Sequence, residues 1–448
     1  MLRQWISTVA IGLTGLIFSS ATLAITPSEL DLIRKQQVIE LKGMDLPMLL
    51  GKSANQMSVL AFQNGAIEAV PYQFDDIDEK GEVFMSQSKE KLRGRLDIFE
   101  AHDSLLLMFK DGGERMPSDM QEGSRVISEI RLGEGEHEKF FYVVEGSAAR
   151  TSKHYVKFNA DTGFVETDYY SLQSDPHNFV MWSNFTYKAY QDKSKNSLLD
   201  SLKIRLTSGV FGGMASITLD NRNIETKVLQ VRDGAIRSSV LVDATIRVLG
   251  VPVMGVDLHM DFLPKAEDIR ANVHVPAILA TMLHEPSMSI SLDGNDLRGS
   301  VVRTALGPKE YAVVDGQMSA IEREMVAHGV DNNNTWVWLS TGKNFDVIAD
   351  MKVPSNFKAP VTAFYEDDET LVDKPENYPG QLPNIGYSVS KIPVDDTFPF
   401  RFMLQFSDDM GRLDPEIFAQ VVKSQPSMVA TQPRNFNQFA GQPHAIVN

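Results

Sequence analysis

Two histidines and two aspartates on one predicted β-hairpin have the types and spacing to support chemistry. Asp257, His259 and Asp261 alternate with apolar residues, so they share the polar face of a strand. If a four-residue turn follows at 264–267, the returning strand places His274 opposite Asp257. Imidazole and carboxylate groups in this arrangement can bind zinc, manganese or nickel, or act as an acid–base pair. An ordinary polar sheet face has the same composition, and both interpretations stay open here.

An acidic string, Pro71–Gly81, has part of the pattern of a calcium-binding loop. Asp76 and Asp78 offer hard oxygen ligands, and the glycine permits the tight turn that such a loop needs. Gln87, however, stands where a bidentate glutamate completes an EF-hand. The string predicts either a calcium site of low ligand number or a polar hairpin turn.

An aromatic pair offers a third kind of site. Trp336 and Trp338 are two residues apart, so a strand places them on one face. Exposed aromatic faces stack against the C–H side of sugar rings, which predicts a ligand-binding role for both tryptophans. Large aromatic side chains also pack in cores, and core packing is the alternative.

The elements that must position these residues are mostly strands. Alternating β-branched and polar residues in 237–249, and the alternating aromatic residues of 400–406, are typical of half-buried strands. Capping and stop signals predict only three short helices, at about 26–36, 318–328 and 414–423. The predicted fold class is mainly β: a large antiparallel β-sandwich, supersandwich-like, with few short helices.

The N-terminus has the pattern of a secretory signal peptide at residues 1–24. Arg3 gives the positive start, an uncharged and mostly apolar run follows, and small residues precede Ala24. The apolar run is shorter than the roughly 20 residues that a membrane-spanning helix needs. We expect removal of this segment and a periplasmic or secreted location.

The remaining chain divides where the strand pattern breaks, near residues 146–152. We expect an N-terminal β-rich module at 25–148 and a large β-sandwich domain at 149–423. Residues 424–448 are rich in Gln, Pro and Asn and are expected to form a disordered tail.

Composition excludes several classes of function. The 448-residue chain has no cysteine, which excludes disulfides, thiol nucleophiles and thiolate metal sites. Its 43 basic and 59 acidic residues give a net charge of −16, and loss of Arg3 with the signal gives −17. So acidic a surface repels nucleic acid. No later segment has transmembrane length, so we expect no integral membrane segment after signal removal.

Two patterns resemble those of carbohydrate-associated proteins. The string Pro71–Gly81, followed by Asp97, 103–106 and 111–113, is similar to the N-terminal module of secreted, carbohydrate-associated β-sandwich proteins. Val231–Arg237, ahead of a long strand, resembles a segment of galactose-mutarotase-like supersandwich proteins. The resemblance implies a sugar-related fold and transfers no catalytic residue.

No catalytic motif is recognisable, so the sequence favours a non-catalytic role. We expect an exported β-sandwich protein that binds a glycan, an envelope component or a partner protein. The alternative is a carbohydrate-active enzyme, a lyase, epimerase or hydrolase, in which His259 or His274 is the base. The cofactor that these residues suggest is a divalent metal, either calcium at Asp76 and Asp78 or a transition metal at the hairpin.

Overall fold

The computed structural model describes most of the chain between residues 27 and 431. The described ranges are 27–117, 125–133, 137–146, 150–210, 212–277, 279, 283–393, 396–408 and 413–431. The predicted signal peptide and the part of the predicted tail beyond residue 431 lie outside these ranges.

The described residues form three α-helices, α1 (Pro27–Arg34), α2 (Ala320–His328) and α3 (Pro415–Lys423). Ser319 accepts a backbone hydrogen bond at the start of α2, and Asp414 does so at the start of α3. Such caps satisfy N–H groups that have no partner inside the helix. All three predicted helices are confirmed. None of the described helices is both long and apolar enough to cross a membrane.

The strands dominate the described chain and are numbered in chain order. The first seven are β1 (Val38–Lys42), β2 (Met57–Gln63), β3 (Ala66–Ala69), β4 (Tyr72–Asp75), β5 (Ser104–Met108), β6 (Arg125–Leu132) and β7 (Lys139–Glu145). The next ten are β8 (Val156–Asn159), β9 (Phe164–Thr167), β10 (Tyr170–Asp175), β11 (Asn178–Tyr187), β12 (Leu199–Val210), β13 (Ala215–Asp220), β14 (Ile224–Asp233), β15 (Ser238–Val248), β16 (Val251–Leu263) and β17 (Ala266–Val275). The last nine are β18 (His284–Gly294), β19 (Val301–Thr304), β20 (Ala312–Val313), β21 (Val337–Ser340), β22 (Asp346–Lys352), β23 (Val361–Asp368), β24 (Gln381–Ser390), β25 (Asp396–Ser407) and β26 (Met428–Thr431).

The strands form five sheets, and every pairing between described strands is antiparallel. Two sheets belong mainly to the N-terminal part, with orders β1-β5-β4 and β26-β6-β7-β2-β3. The other orders are β11-β10-β9-β8, β13-β12-β18-β24-β23 and, for the nine-stranded sheet, β14-β15-β16-β17-β25-β22-β21-β19-β20. The mainly β, antiparallel fold class is confirmed.

The nine-stranded sheet and the sheet containing β12 pack face to face as a large sandwich. Alternate residues of β15 (Val240, Val242, Ala244 and Ile246) are buried in its core, as the period-two pattern predicts. Asp243, between them, faces outward and is exposed. An apolar cavity of about 160 Å³ remains between the two sheets.

The strands of the predicted N-terminal module, β1 to β7, pair with one another. Among the described strands, β26 is the one strand from outside the module that pairs with them. The partner strand in that pairing is β6, which Met428–Thr431 extends at the sheet edge. Met428 and Ala430 pack against the core of the module. The expectation that the tail is disordered from residue 424 onward is therefore wrong for this segment. The four residues are ordered because they pair with β6 and cover the apolar core, although the residues around them are polar.

Candidate functional site

The two strings that resemble carbohydrate-associated proteins contact each other in the fold. The side chain of Gln73, in β4, reaches into the turn between β14 and β15. Its Oε1 accepts hydrogen bonds from the backbone N–H groups of Ile236, at 3.0 Å, and Arg237, at 2.8 Å. A Cβ atom on Gly234 would lie 2.0 Å from this Oε1, so a larger residue there would displace the Gln73 side chain. This contact docks the N-terminal module on the sandwich.

A polar cleft of about 350 Å³ lies beside this contact, between the module and the sandwich. Both strings contribute to its wall. Its charged lining residues are Asp75, Asp76, Asp97, Asp103, Asp233, Arg150 and Arg232. Carboxylates accept hydrogen bonds and guanidinium groups donate them, so the cleft offers both to a ligand.

Two carboxylates of the cleft are held by the protein itself. Asp76 accepts one backbone hydrogen bond, and its Oδ2 lies 3.3 Å from Nη2 of Arg232. Asp103 accepts the N–H groups of Ile77, at 3.2 Å, and Glu100, at 2.7 Å. Burial raises the pKa of Asp76 and of Asp103, although these contacts oppose the shift. Both side chains are fixed in position before any ligand arrives.

Aromatic rings form the apolar part of the cleft. Tyr72, Phe74 and Phe99 line it, with ring centroids 5.7 Å apart for the first two and 5.1 Å for the last two. Tyr72 and Phe74 are half-buried, while Phe99 belongs to the module core. A partly exposed ring beside charged groups can meet a ligand that is apolar on one side and polar on the other.

A buried ionic network begins at Asp75 in the wall of the cleft and extends into the sandwich. Arg237 contacts Asp75 at 2.6 Å and lies 3.5 Å from Asp261, and all three side chains are buried. Asp261 also pairs with Arg270 at 3.0 Å. This network joins β4 of the module to three strands or turns of the sandwich, so it fixes their relative placement.

His259 belongs to the same network. Its Nδ1 lies 3.3 Å from Glu82, and its Nε2 lies 3.3 Å from Asp261. Burial opposes protonation, but the two carboxylates raise the pKa of His259 to about 9. An imidazolium at neutral pH neither ligates a metal nor accepts a proton. Asp257, two residues away, is half-exposed and pairs with Lys89 at 2.8 Å.

The register of the hairpin differs from the expected one. Leu263 pairs with Ala266, so the turn has two residues and not four. Asp257 consequently lies opposite Asn272, and His274 is displaced by two residues to an exposed position. The prediction that His274 faces Asp257 is wrong, because the turn length sets the register of the whole hairpin. The structure does not gather the four residues around one point.

The two aspartates of the predicted calcium loop are used differently. Asp78 is buried, and its Oδ1 accepts the backbone N–H groups of Lys80 and Glu82, both at 2.9 Å. Gly81 takes a φ of +86° in the same turn. The string is therefore a polar hairpin turn at this point. Asp76 faces the cleft, whose lining does not include Asp78.

The two tryptophans are buried. Trp336 is 4% exposed and Trp338 is 3% exposed. They pack in a cluster with Ile33 of α1 and Phe418 of α3, which cover this face of the nine-stranded sheet. The structure thus contradicts an exposed sugar-stacking platform at this pair, and the alternative of core packing describes them.

A second acidic cluster lies away from the hairpin and was not found from the sequence. One carboxylate oxygen from each of Asp200, Asp293 and Glu376 lies within 4.8 Å of the others, a group that could hold a metal ion. Burial raises the pKa of Asp293 to about 7, against the effect of nearby Lys203. The three acids are so widely separated in the chain that no spacing pattern links them.

Sequence reasoning also missed how the cleft is assembled. Arg232 and Asp76 both stand in strings singled out above, yet they are 156 positions apart. The one sequence feature that could have indicated the cleft is that both strings resemble the same broad class of protein. The contact that these strings make through Gln73 and Gly234 becomes visible only in the folded structure.

Comparisons with known proteins give only distant structural similarities. A scan against protein-family models and a search of curated proteins found no match. An α-mannosidase from Enterococcus faecalis V583 aligns with a TM-score of 0.46 at 8% identity, covering 89% of this chain and 44% of that one. The chain thus spans less than half the length of this enzyme.

Two smaller structures align with part of the chain. A putative mutarotase from Salmonella typhimurium has a TM-score of 0.32 at 8% identity, covering 55% of this chain and 90% of that one. An aldose epimerase homologue from C. elegans has a TM-score of 0.30 at 10% identity, covering 56% of this chain and 98% of that one. The chain has a weak structural resemblance to glycoside hydrolase family 38 and mutarotase-like folds, and similarity at this level establishes no shared activity.

Proposed function

We propose that this chain is an exported protein that binds a glycan, without catalysis, in the cleft between its N-terminal module and its sandwich. The observation that carries the proposal is the composition of the cleft. Asp76, Asp103 and Arg232 line it beside the half-buried ring of Tyr72, around a space of about 350 Å³. Small-molecule sites in proteins typically begin at about 300 Å³.

The chemistry of a sugar matches this wall. Each hydroxyl group both donates and accepts hydrogen bonds, so it can pair with Asp76 and with Arg232 at once. The C–H side of a pyranose ring is apolar and can lie against Tyr72. Because the carboxylates are already fixed by backbone N–H groups, little ordering entropy is lost when a ligand binds.

The charge of the cleft restricts the class of glycan. Five carboxylates and two guanidinium groups line it, so negative charge is in excess. A uronic acid or a sulfated sugar would be repelled, whereas neutral and amino sugars would not. We therefore propose neutral or amino-sugar oligosaccharides as the ligand.

Replacing Asp76 with asparagine is expected to weaken saccharide binding by about 10- to 100-fold. A hydrogen bond to a charged group contributes about 1.5–3 kcal/mol, and asparagine keeps the shape but loses the charge. Isothermal titration of residues 25–448 with neutral, amino and acidic oligosaccharides measures this effect.

The matched control is Asp161→Asn, because Asp161 is exposed in the turn between β8 and β9, outside the cleft lining. It should bind like the wild type. Equal affinities for Asp76→Asn and the wild type, or binding confined to acidic oligosaccharides, would contradict the proposal.

One observation favours a catalytic alternative, hydrolysis of a glycoside. A general acid must be protonated at the working pH, and the raised pKa of Asp76 and of Asp103 favours the protonated form of both carboxyl groups. Release of reducing sugar by the wild type, lost in Asp103→Asn, would support hydrolysis in place of binding alone. His259 and His274 have no part in this alternative, since one is protonated in the network and the other is outside the cleft lining.

A further inference from the structure

The acidic cluster at the end of the sheet containing β12 has more buried acceptors than donors. Asp200 and Lys203 lie on β12, Asp293 lies on β18, and Glu376 lies in the connection between β23 and β24. Asp200, Lys203 and Asp293 are at most 1% exposed, and the side chain of Glu376 is 10% exposed. Asn384, on β24, pairs in register with Asp293 and is also buried.

Lys203 is the nearest cation, and its donors are already used. Its Nζ lies 2.7 Å from Asp293 Oδ2 and 3.2 Å from Glu376 Oε2. It also donates to the carbonyl of Asp373 at 2.5 Å and to Gln381 Oε1 at 3.1 Å. An ammonium group has three N–H donors, and four acceptors surround this one. It has none left for further oxygens.

Three side-chain oxygens around the cluster have no hydrogen-bond donor in the described part of the chain. These buried atoms are Asp293 Oδ1, Glu376 Oε1 and Asn384 Oδ1. Asp200 is placed differently, since its Oδ1 accepts the N–H groups of Asn377 and Tyr378 at 2.6 and 2.7 Å. Buried polar atoms nearly always have a partner, so three together point to a bound group.

Charge and spacing identify that group. Three carboxyl groups face one ammonium, so ionised carboxylates exceed cations in a buried place, and a divalent cation can neutralise the excess. Ligand oxygens on opposite sides of Ca²⁺ lie about 4.6–5.2 Å apart, given its bond lengths of about 2.3–2.6 Å. The three carboxylates meet this limit, because their closest oxygens lie within 4.8 Å.

We propose that Asp200, Asp293, Glu376 and Asn384 bind one Ca²⁺ ion. All the ligands are oxygens, one of them from an amide, and this set suits Ca²⁺ better than zinc or another transition metal. Asn377 and Tyr378 tie the β23–β24 connection to Asp200, so the ion fastens this connection to the sheet. The site is separate from the cleft and does not depend on the proposed glycan binding.

The test measures calcium on the whole chain after signal removal. Protein stripped with chelator, reloaded with CaCl₂ and desalted should contain one Ca²⁺ per chain by mass spectrometry of the metal. Calorimetric titration should give an affinity that falls at least tenfold in Glu376→Gln, and Asp161→Asn should match the wild type. The melting temperature of the wild type should rise with calcium, and that of Glu376→Gln should rise less.

The stoichiometry of the wild type is decisive even if a variant folds poorly. No retained calcium in the wild type would overturn the proposal. Equal calcium affinity in a folded Glu376→Gln, or binding of Mg²⁺ or Mn²⁺ in preference to Ca²⁺, would overturn it as well.

Discussion

Replacing Arg237 with alanine is expected to destabilise the protein by about 3–5 kcal/mol, the effect of breaking a buried ion pair. Arg237 is 5% exposed, and its guanidinium contacts the fully buried carboxylate of Asp75 at 2.6 Å. Without it, the carboxylate of Asp75 loses its closest cation and keeps only the Gln73 amide and the more distant Arg232, at 3.9 Å. Asp261 keeps Arg270 and His259 as partners, so the main loss is at Asp75.

Chemical denaturation of the wild type and the variant measures this loss. Arg222→Ala is the matched control, because Arg222 pairs with Asp220 at the surface and its side chain is 62% exposed. Exposed pairs contribute at most about 1 kcal/mol. The double variant Arg237→Met with Asp75→Asn should recover part of the stability, since it removes the carboxylate together with its guanidinium partner. A loss as small as that of the control would show that the network does not hold the module in place.

Stability is expected to fall as pH rises from about 4.5 to about 8 because of Glu267. This residue is 1% exposed, and burial raises the pKa of its carboxyl from 4.5 to about 8, opposed only in part by Tyr170. Between these values the folded chain keeps a proton that the unfolded chain releases, so folding becomes less favourable as pH rises. At about 1.4 kcal/mol per tenfold change in protonation equilibrium, the loss is on the order of 5 kcal/mol.

Urea unfolding at pH 5, 7 and 9 should show this trend, and the fall in stability should be smaller in Glu267→Gln. Glutamine keeps the shape and has no proton to lose, so the variant should gain on the wild type as pH rises. His259, with a pKa raised to about 9, adds a loss of stability between about 6.5 and 9, but it is present in both proteins and cancels in the comparison. The exposed Glu310→Gln serves as the control. A stability difference that stays constant with pH would contradict the account.

Local patterns were sufficient to predict the three helices and several of the strands. The alternation in β15 and β25 follows from burial on one face, and the caps at Ser319 and Asp414 mark helix starts by chemistry that acts within a few residues. β26 was missed, because its four residues form a strand only where β6 provides an edge.

The candidate sites depend on contacts that no local pattern encodes. The hairpin turn is two residues long, and that single difference moved His274 away from Asp257. Burial of Trp336 follows from coverage by α1 and α3, which the spacing of the tryptophans cannot show. Long-range packing also joins Asp76 to Arg232 across the cleft.

Hydrogen–deuterium exchange with a saturating neutral or amino-sugar oligosaccharide tests the central claim most directly. A glycan in the cleft should slow exchange in segments 72–76, 97–103 and 232–237, which form its wall. Segment 335–340, which carries the buried tryptophans, should not change. Two results would contradict glycan binding at this site. One is slower exchange at 335–340 while exchange in the cleft segments stays the same. The other is unchanged exchange in all segments with every saccharide of the panel.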